Sequence, residues 1–289
     1  MKLLMLPKLS DVGTNNGIGQ VILNYWNWLP KVGIELTDNP DDSYDISSSH
    51  LGKIANADLC FLHGFWFGKV SNLMSEQNAL IIESIRNAKA VIVPSEYVAE
   101  TVRRDFRINP YIIGHGVNMS EWKGAKPKGY VLWNKNRPSD VCNPEPVYEL
   151  AKRHPKVKFV TTFYPMDRTP IPDNVQIVGK VSFDQMKQLI KGASIYLSTA
   201  KETFNISALE NLACGTPILG WNWGGTADIV WNKKDGYLVN VGDYDALSDG
   251  LEWLLENRQQ LTAACKNKAM MYNWLDVAKK IREVCYNVY

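Results

Sequence analysis

No stretch of this chain approaches the roughly 18 consecutive apolar residues that a membrane-spanning helix needs, and the apolar run at residues 1–7 is too short for a secretory signal. Stable membrane insertion is therefore not expected, and a soluble, cytoplasmic protein is the default reading. Charge asymmetry is missing too: 32 basic and 30 acidic residues leave a formal net charge of +2. The basic excess that marks a nucleic-acid partner is absent, so none is expected. Cysteine is scarce. Cys60, Cys142, Cys214, Cys265 and Cys285 are odd in number with no close pair, which reads as free thiols in a reducing compartment rather than a disulfide framework or a zinc site. The four histidines, His50, His63, His115 and His154, lie scattered without ligand spacing, so no protein-bound metal is expected. Internal repeats and low-complexity tracts are not evident.

What remains is the composition of a folded protein. With 289 residues and 45% hydrophobic content, the chain can bury a sizeable core, and its length suggests about two domains. Short β-type apolar runs at 2–6, 59–62, 90–93, 111–113, 130–133, 158–162, 175–178, 194–198, 217–220 and 237–239 alternate with amphipathic stretches. That alternation predicts α/β architecture with parallel sheets covered by helices. Ser182 and Gln185 form a capping box ahead of a segment closed by Gly192, Gly215 closes another helix, and Asp243 caps the run through Leu247, Leu251 and Leu254. A glycine- and lysine-rich stretch at 114–129 reads as a link. The expected division is a first domain over 1–115, a second over 116–270 and a final amphipathic helix within 271–289. In such sheets the loops leaving the carboxyl ends of strands line the ligand crevice.

The most informative stretch runs from Ser198 to Pro217 as strand, loop, helix, cap and next strand. Glu202 falls in the loop and Glu210 about 7 to 8 Å along a helix starting near Asn205. A helix amino terminus with its unpaired amides favours an anion such as phosphate, and a carboxylate accepts from sugar or ribose hydroxyls. On the helical wheel Ile206, Leu209, Leu212 and Ala213 form the buried stripe, Glu210 lies at its edge, and Ser207 and Asn211 fall on the polar face. On spacing alone the commoner reading is that Glu202 is a surface loop acid and Glu210 a solvated helix residue; only the resemblance that follows reverses it.

The stretch from Glu202 to Glu210, then Ala213 to Pro217, Trp223 to Val230 and Asp235 to Val239, resembles the retaining nucleotide-sugar glycosyltransferases of family 4, whose signature is two glutamates separated by seven residues, E-x7-E. The resemblance is strong in the second half and weak in the first. It implies two Rossmann-like domains facing across a cleft, the GT-B arrangement, with a last helix crossing back to the first domain. It further implies that Glu202 contacts the hydroxyls of the transferred sugar and Glu210 the donor ribose. Thr203, Phe204, Asn205 and Ile206 would line sugar or diphosphate, and Gly179, Lys180 and Val181 the base. The co-substrate would be a nucleoside-diphosphate sugar, with no metal or other cofactor.

Gly17 and Gly19, in the loop after the first strand, look like the family's first glycine-rich loop, with Asn16 where the first paired glycine usually stands. As a dinucleotide fingerprint the segment fails at Ile22, which is bulky where glycine or alanine allows tight packing. His63 follows a strand, where the family often has a histidine reaching the donor sugar or reaction centre, and Trp66 could stack on an acceptor. The family's usual Gly-Arg and later lysine are replaced at 133–142, leaving Lys135 and Arg137 as the cations for the leaving diphosphate. The acceptor, whether carbohydrate, lipid-linked glycan or protein glycan, is open. The competing readings are a non-catalytic sugar-nucleotide or glycan-binding module and a glycoside hydrolase built on a carboxylate pair.

Overall fold

The computed structural model describes residues 1–13, 16–65, 72–135, 141–163 and 170–289, with backbone alone at 72–75. Its internal contacts divide the chain into two units, Met1–Gly116 with Tyr272–Tyr289, and Val117–Met271.

The first unit begins with β1 (Lys2–Leu6), α1 (Leu9–Val12), α2 (Gly17–Trp28), β2 (Glu35–Thr37), β3 (Ile46–His50), β4 (Leu59–Phe61), α3 (Asn72–Asn87), β5 (Ala90–Val93), α4 (Glu96–Phe106) and β6 (Tyr111–Ile112). Its strands form a parallel sheet in the order β2-β1-β3-β4-β5-β6. A parallel sheet covered on both faces buries its strands entirely. Accordingly Leu3, Leu4, Met5, Leu59, Val91 and Val93 are sealed in the core. Two strands, β2 and β3, were not anticipated. The sequence of β3, Ile-Ser-Ser-Ser-His, reads as a turn, yet every residue is buried. Its hydroxyls are satisfied locally: Ser47 Oγ donates to Asp58 at 2.8 Å, Ser48 Oγ to the Leu4 carbonyl at 3.0 Å, and Ser49 Oγ accepts from the Ile54 amide at 3.0 Å. Buried polar groups are tolerated when paired in this way.

The second unit contains β7 (Tyr130–Trp133), α5 (Glu145–Arg153), β8 (Lys158–Thr161), β9 (Val175–Ile177), α6 (Phe183–Gly192), β10 (Ala193–Ser198), α7 (Ile206–Cys214), β11 (Ile218–Trp221), α8 (Gly224–Ile229), β12 (Gly236–Val239) and the long α9 (Tyr244–Met270). The sheet is again parallel, ordered β12-β11-β10-β7-β8-β9. Trp133, Phe159, Ile195, Leu197 and Leu219 from the sheet pack with Val147, Leu150, Leu247, Leu251 and Leu254 from helices. The capping box of Ser182 and Gln185 forms, Gly215 takes a left-handed φ of 83° to close α7, and Asp243 caps α9. The segment closes at Gly192 as expected, with Ala193 as the cap residue. Gly192 ends α6 in a packing role, because a Cβ there would stand 2.5 Å from the Tyr130 hydroxyl. The lysine-rich link is also anchored: Lys126 and Lys128 donate backbone hydrogen bonds to Lys191 and Gly192, and Trp122 is buried.

The last element, α10 (Trp274–Val288), returns to the first unit and buries Trp274, Val277, Ala278, Ile281, Val284 and Cys285. Trp274 meets Tyr25 edge-on at 5.8 Å, and Gly116 leaves room for it, since a Cβ would lie 2.7 Å from its ring. All five cysteines are free and buried. No helix among the described residues is long and apolar enough to cross a membrane.

Candidate functional site

In the second unit the chain builds β7, β8 and β9 outward and then returns to place β10 on the other side of β7. Such a reversal opens a crevice at the carboxyl ends of the two strands that flank it, where ligands of parallel sheets bind. The loops at that point carry Asn134 and Lys135 after β7, and Thr199 to Glu202 after β10. Lys135 Nζ meets Glu202 Oε1 at 2.7 Å, with side-chain exposures of 12% and 19%. Burial opposes the lysine charge, but the Glu202 carboxylate, with Tyr196, holds the ammonium ionised well above the usual lysine range. A pair this enclosed is costly to form unless both partners are satisfied.

Further groups align the pair. Tyr196, fully buried on β10, donates to Asn134 Oδ1 at 2.9 Å, and Asn134 Nδ2 donates to Ser207 Oγ at 3.0 Å in the first turn of α7. This string ties the ends of β7 and β10 to the helix.

Asn205 caps α7, its Oδ1 accepting from the Ala208 amide at 3.0 Å. Its Nδ2 donates to Ser198 Oγ at 2.6 Å and Thr226 Oγ1 at 3.0 Å, so the side chain is spent inside the fold and only main-chain groups of this residue could face a ligand. Phe204 is buried, while Thr203 and Ile206 are partly exposed. The amide of Gly225 donates to the Glu202 carbonyl at 2.9 Å. That approach requires glycine, because a Cβ at 225 would stand 2.6 Å from the Thr203 carbonyl oxygen.

Glu210 is only partly exposed. Burial pushes its carboxyl up to about 8; Lys135 and Lys187 pull it down, and Glu121 adds to the rise. Lys187 and Glu121 are themselves paired at 2.8 Å. The helical-wheel placement of Asn211 beside Ser207 on a polar face is overturned: Asn211 is fully buried and its Nδ2 donates to the Ser207 carbonyl at 2.8 Å. Gly179, at a φ of 69°, Lys180 and Val181 form the open turn between β9 and α6.

In the first unit, Asn16 caps α2 by accepting from the Gly19 amide at 2.9 Å. Gly17 is exposed and Gly19 buried. The capping duty accounts for an asparagine at 16, and it takes the Gly19 amide out of ligand binding. The expectation that the histidines are scattered fails for three of the four. His63 Nε2 lies 3.0 Å from His50 Nδ1, and the His63 and His115 rings are 5.6 Å apart. Burial pushes the His63 imidazole down to about 4, and burial with its histidine neighbours holds His50 and His115 well below the usual range. The His50 and His63 rings meet through His50 Nδ1 and His63 Nε2, His115 is tilted against His63, and no group of three potential ligands among the described residues could hold a metal. Arg137 and Trp66 lie outside the described residues.

Asn134, Tyr196, His50 and His115 were missed as site residues. Tyr196 reads as core and His50 as the end of a polar turn, so only strand order places them at a crevice.

Residues 161–271 match the family of glycosyl transferases group 1. The N-acetyl-alpha-D-glucosaminyl L-malate synthase of Bacillus anthracis is 30% identical over 103 residues, which is 35% of this chain and 26% of the relative. The aligned stretch thus spans about a quarter of that relative's length. The sucrose-phosphate synthase of Thermosynechococcus elongatus superposes with a TM-score of 0.78 at 14% identity, covering 99% of this chain and 98% of the other. Anabaena Alr3699/HepE, solved in complex with UDP and glucose, gives 0.71 at 14% identity over 99% and 98%. The fold is therefore shared over nearly the whole chain, and the sequence match to glycosyl transferases group 1 lies in the second unit, over the stretch that carries Glu202 and Glu210.

Proposed function

We propose that the protein is a retaining hexosyltransferase of the family 4 type, which moves a sugar from a nucleoside-diphosphate sugar to an acceptor hydroxyl without a metal ion. The observation that carries this reading is the enclosed Lys135–Glu202 contact at the switch point of the second sheet, beside the amino end of α7 and one helical stretch from Glu210. Such a site matches a donor with a dense anion between two polyols. Lys135 neutralises the leaving diphosphate, assisted by amides of the first turn of α7 and by Arg137. Glu202 accepts from hydroxyls of the transferred sugar and Glu210 from the ribose diol. The turn of Gly179, Lys180 and Val181 contacts the base. On the first unit, Gly17 opens α2 and His63 follows β4, the positions that the family resemblance gives to donor contacts. The acceptor oxygen attacks the anomeric carbon on the face from which the diphosphate departs. One carbon–oxygen bond forms as the bond to phosphate breaks, and the hydroxyl proton passes to the departing phosphate oxygen.

The test is a thermal-shift panel of UDP, GDP, ADP and CMP with their sugars, because a ligand that binds only the folded state raises its melting temperature. UDP-glucose enters first, given the ligands of the Anabaena structure. One nucleotide should stabilise the wild type, and Glu202→Gln with Glu210→Gln should abolish turnover that otherwise survives EDTA. A product of inverted anomeric configuration, or full activity in the double variant, sinks the reading. Release of sugar from simple aryl glycosides with no nucleotide present would instead identify a hydrolase.

A further inference from the structure

The strands of a parallel sheet all start at one edge, so in the second unit the segments that lead into them gather along a single border, at the opposite end of the strands from the crevice described above. That border is basic. Lys126 and Lys128 lead into β7, Lys156 and Lys158 stand at the start of β8, Lys233 and Lys234 lead into β12, and all six are exposed. Lys191, half-buried in the last turn of α6, comes just ahead of β10, and its carbonyl accepts from the Lys126 amide at 3.0 Å. Ahead of β11 the chain has no lysine of its own, but α9 brings the exposed Lys266 there: a Cβ at Gly215 would stand 3.0 Å from its Cε.

This charge is not cancelled on the spot. In the described segments that lead into these strands the acids are Asp173, ahead of β9, and Asp235, which is 1% exposed and spent on the Trp231 amide at 2.8 Å. The ion pairs of this unit's lysines fall elsewhere, at Lys135, Lys152 and Lys187. Neighbouring strands lie about 4.8 Å apart, so the four steps from β12 to β8 spread the lysines over about 19 Å. Screening at physiological salt acts over about 8 Å, and their fields therefore overlap. A single exposed lysine is ordinary. A row of them with no acid opposite, in a chain whose net charge is only +2, is a local pole.

The same border carries an apolar end. Beside β12 stands Trp231, 48% exposed, with Lys268 Nζ 3.8 Å and Lys234 Nζ 5.5 Å from the centre of its ring. Met271, three residues past Lys268, is 61% exposed. An indole among ammonium groups is suited to the headgroup level of a bilayer, and the long lysine stems let their charges reach lipid phosphates. We propose that this border is a docking surface for an anionic lipid bilayer: the lysines attract acidic headgroups, and Trp231 and Met271 enter the interface. Nucleic acid, the other common polyanion, is recognised above all through the planar fork of arginine, and the described segments of the border hold no arginine. Docking of this kind is peripheral and leaves the crevice of the second sheet turned away from the lipid, so it stands apart from the glycosyltransferase reading.

The test sediments the full chain with vesicles of phosphatidylcholine alone and of phosphatidylcholine mixed with phosphatidylglycerol. The wild type should bind the mixed vesicles only, and about 0.5 M salt should release it. Each lysine near such a surface is worth about a factor of five in partitioning, so Lys233→Glu with Lys234→Glu should weaken binding about 25-fold or more. Lys279→Glu with Lys280→Glu makes the same change of net charge on α10 and should leave binding within about twofold of wild type. On mixed vesicles the tryptophan emission should move to shorter wavelength, and Trp231→Phe, which keeps a ring beside Lys268, should remove that shift while still sedimenting. Every side chain replaced is exposed, so the variants should melt with the wild type. Absence of binding to mixed vesicles, equal binding to phosphatidylcholine alone, equal losses in the two lysine pairs, or an emission shift that persists in Trp231→Phe overturns the proposal. So does binding of a DNA duplex in place of vesicles, which would make the border a nucleic-acid face. No donor or turnover enters the assay, so a failure of the glycosyltransferase reading leaves its result untouched.

Discussion

Replacing Glu210 by glutamine should make the protein more stable in alkali while weakening its grip on a nucleotide. Burial raises the Glu210 carboxyl from 4.5 to about 8. Between those two values the folded protein retains a proton that the unfolded chain has released, so stability falls as the pH climbs through that window and flattens above it. At about 1.4 kcal/mol per pH unit, the full gap sets a ceiling of about 5 kcal/mol on the cost of ionising Glu210 in place. The side chain is partly exposed, and solvent screening with local relaxation reduces the cost to about 2–3 kcal/mol. For a unit of this size that amounts to about 5–10 °C in melting temperature. Thermal scans at pH 5 and pH 9 check the reasoning. Glu210→Gln and wild type should melt within a degree or two of each other at pH 5, and the variant should melt about 5–10 °C higher at pH 9, on the same estimate. A variant that is equal or inferior to wild type at pH 9 would refute the placement of this acid in a poorly solvated site.

The same proton should appear in binding: if Glu210 accepts from a ribose diol as a carboxylate, calorimetry at pH 7 in buffers of different ionisation enthalpy should show proton release on nucleotide binding. Lys135→Met should weaken UDP about 10- to 100-fold and leave uridine unchanged in the same titration, because the loss is one charge-assisted contact to phosphate. Asn205→Ala removes a helix cap and two buried hydrogen bonds together, and should cost about 2–4 kcal/mol of stability in urea melts. Gly225→Ala drives a methyl group into the Thr203 carbonyl and should cost about 1–3 kcal/mol, read in the same assay.

How much of this was legible in the sequence depended on whether local pattern and burial agree. Strands β5 and β7 are apolar and buried throughout, and β1 is apolar after Lys2, so the runs of 2–6, 90–93 and 130–133 coincide with the observed elements. The start of α7 at Asn205 was readable because the capping side chain is itself the signal. By contrast, β3 hides behind three serines whose partners, Asp58, Leu4 and Ile54, come from elsewhere in the first unit. Asn211 defeats the helical wheel because α7 packs against both α6 and α9, leaving little of its circumference to water. The contact between Lys135 and Glu202 cannot be read from spacing at all, since it depends on β10 returning beside β7. The histidines gather for the same reason, each standing at or just beyond the carboxyl end of its own strand in the first sheet.

The return of α10 to the first unit has a consequence for how the molecule is made. Residues that seal Tyr25 and flank His115 are supplied by Trp274 and its neighbours, which are synthesised only after the whole of the second unit. The second unit can thus fold on the ribosome as a continuous segment, whereas the first, though synthesised earlier, stays open until α10 emerges. A nonsense mutation just ahead of Tyr272 would leave an intact later half attached to an unfinished earlier one.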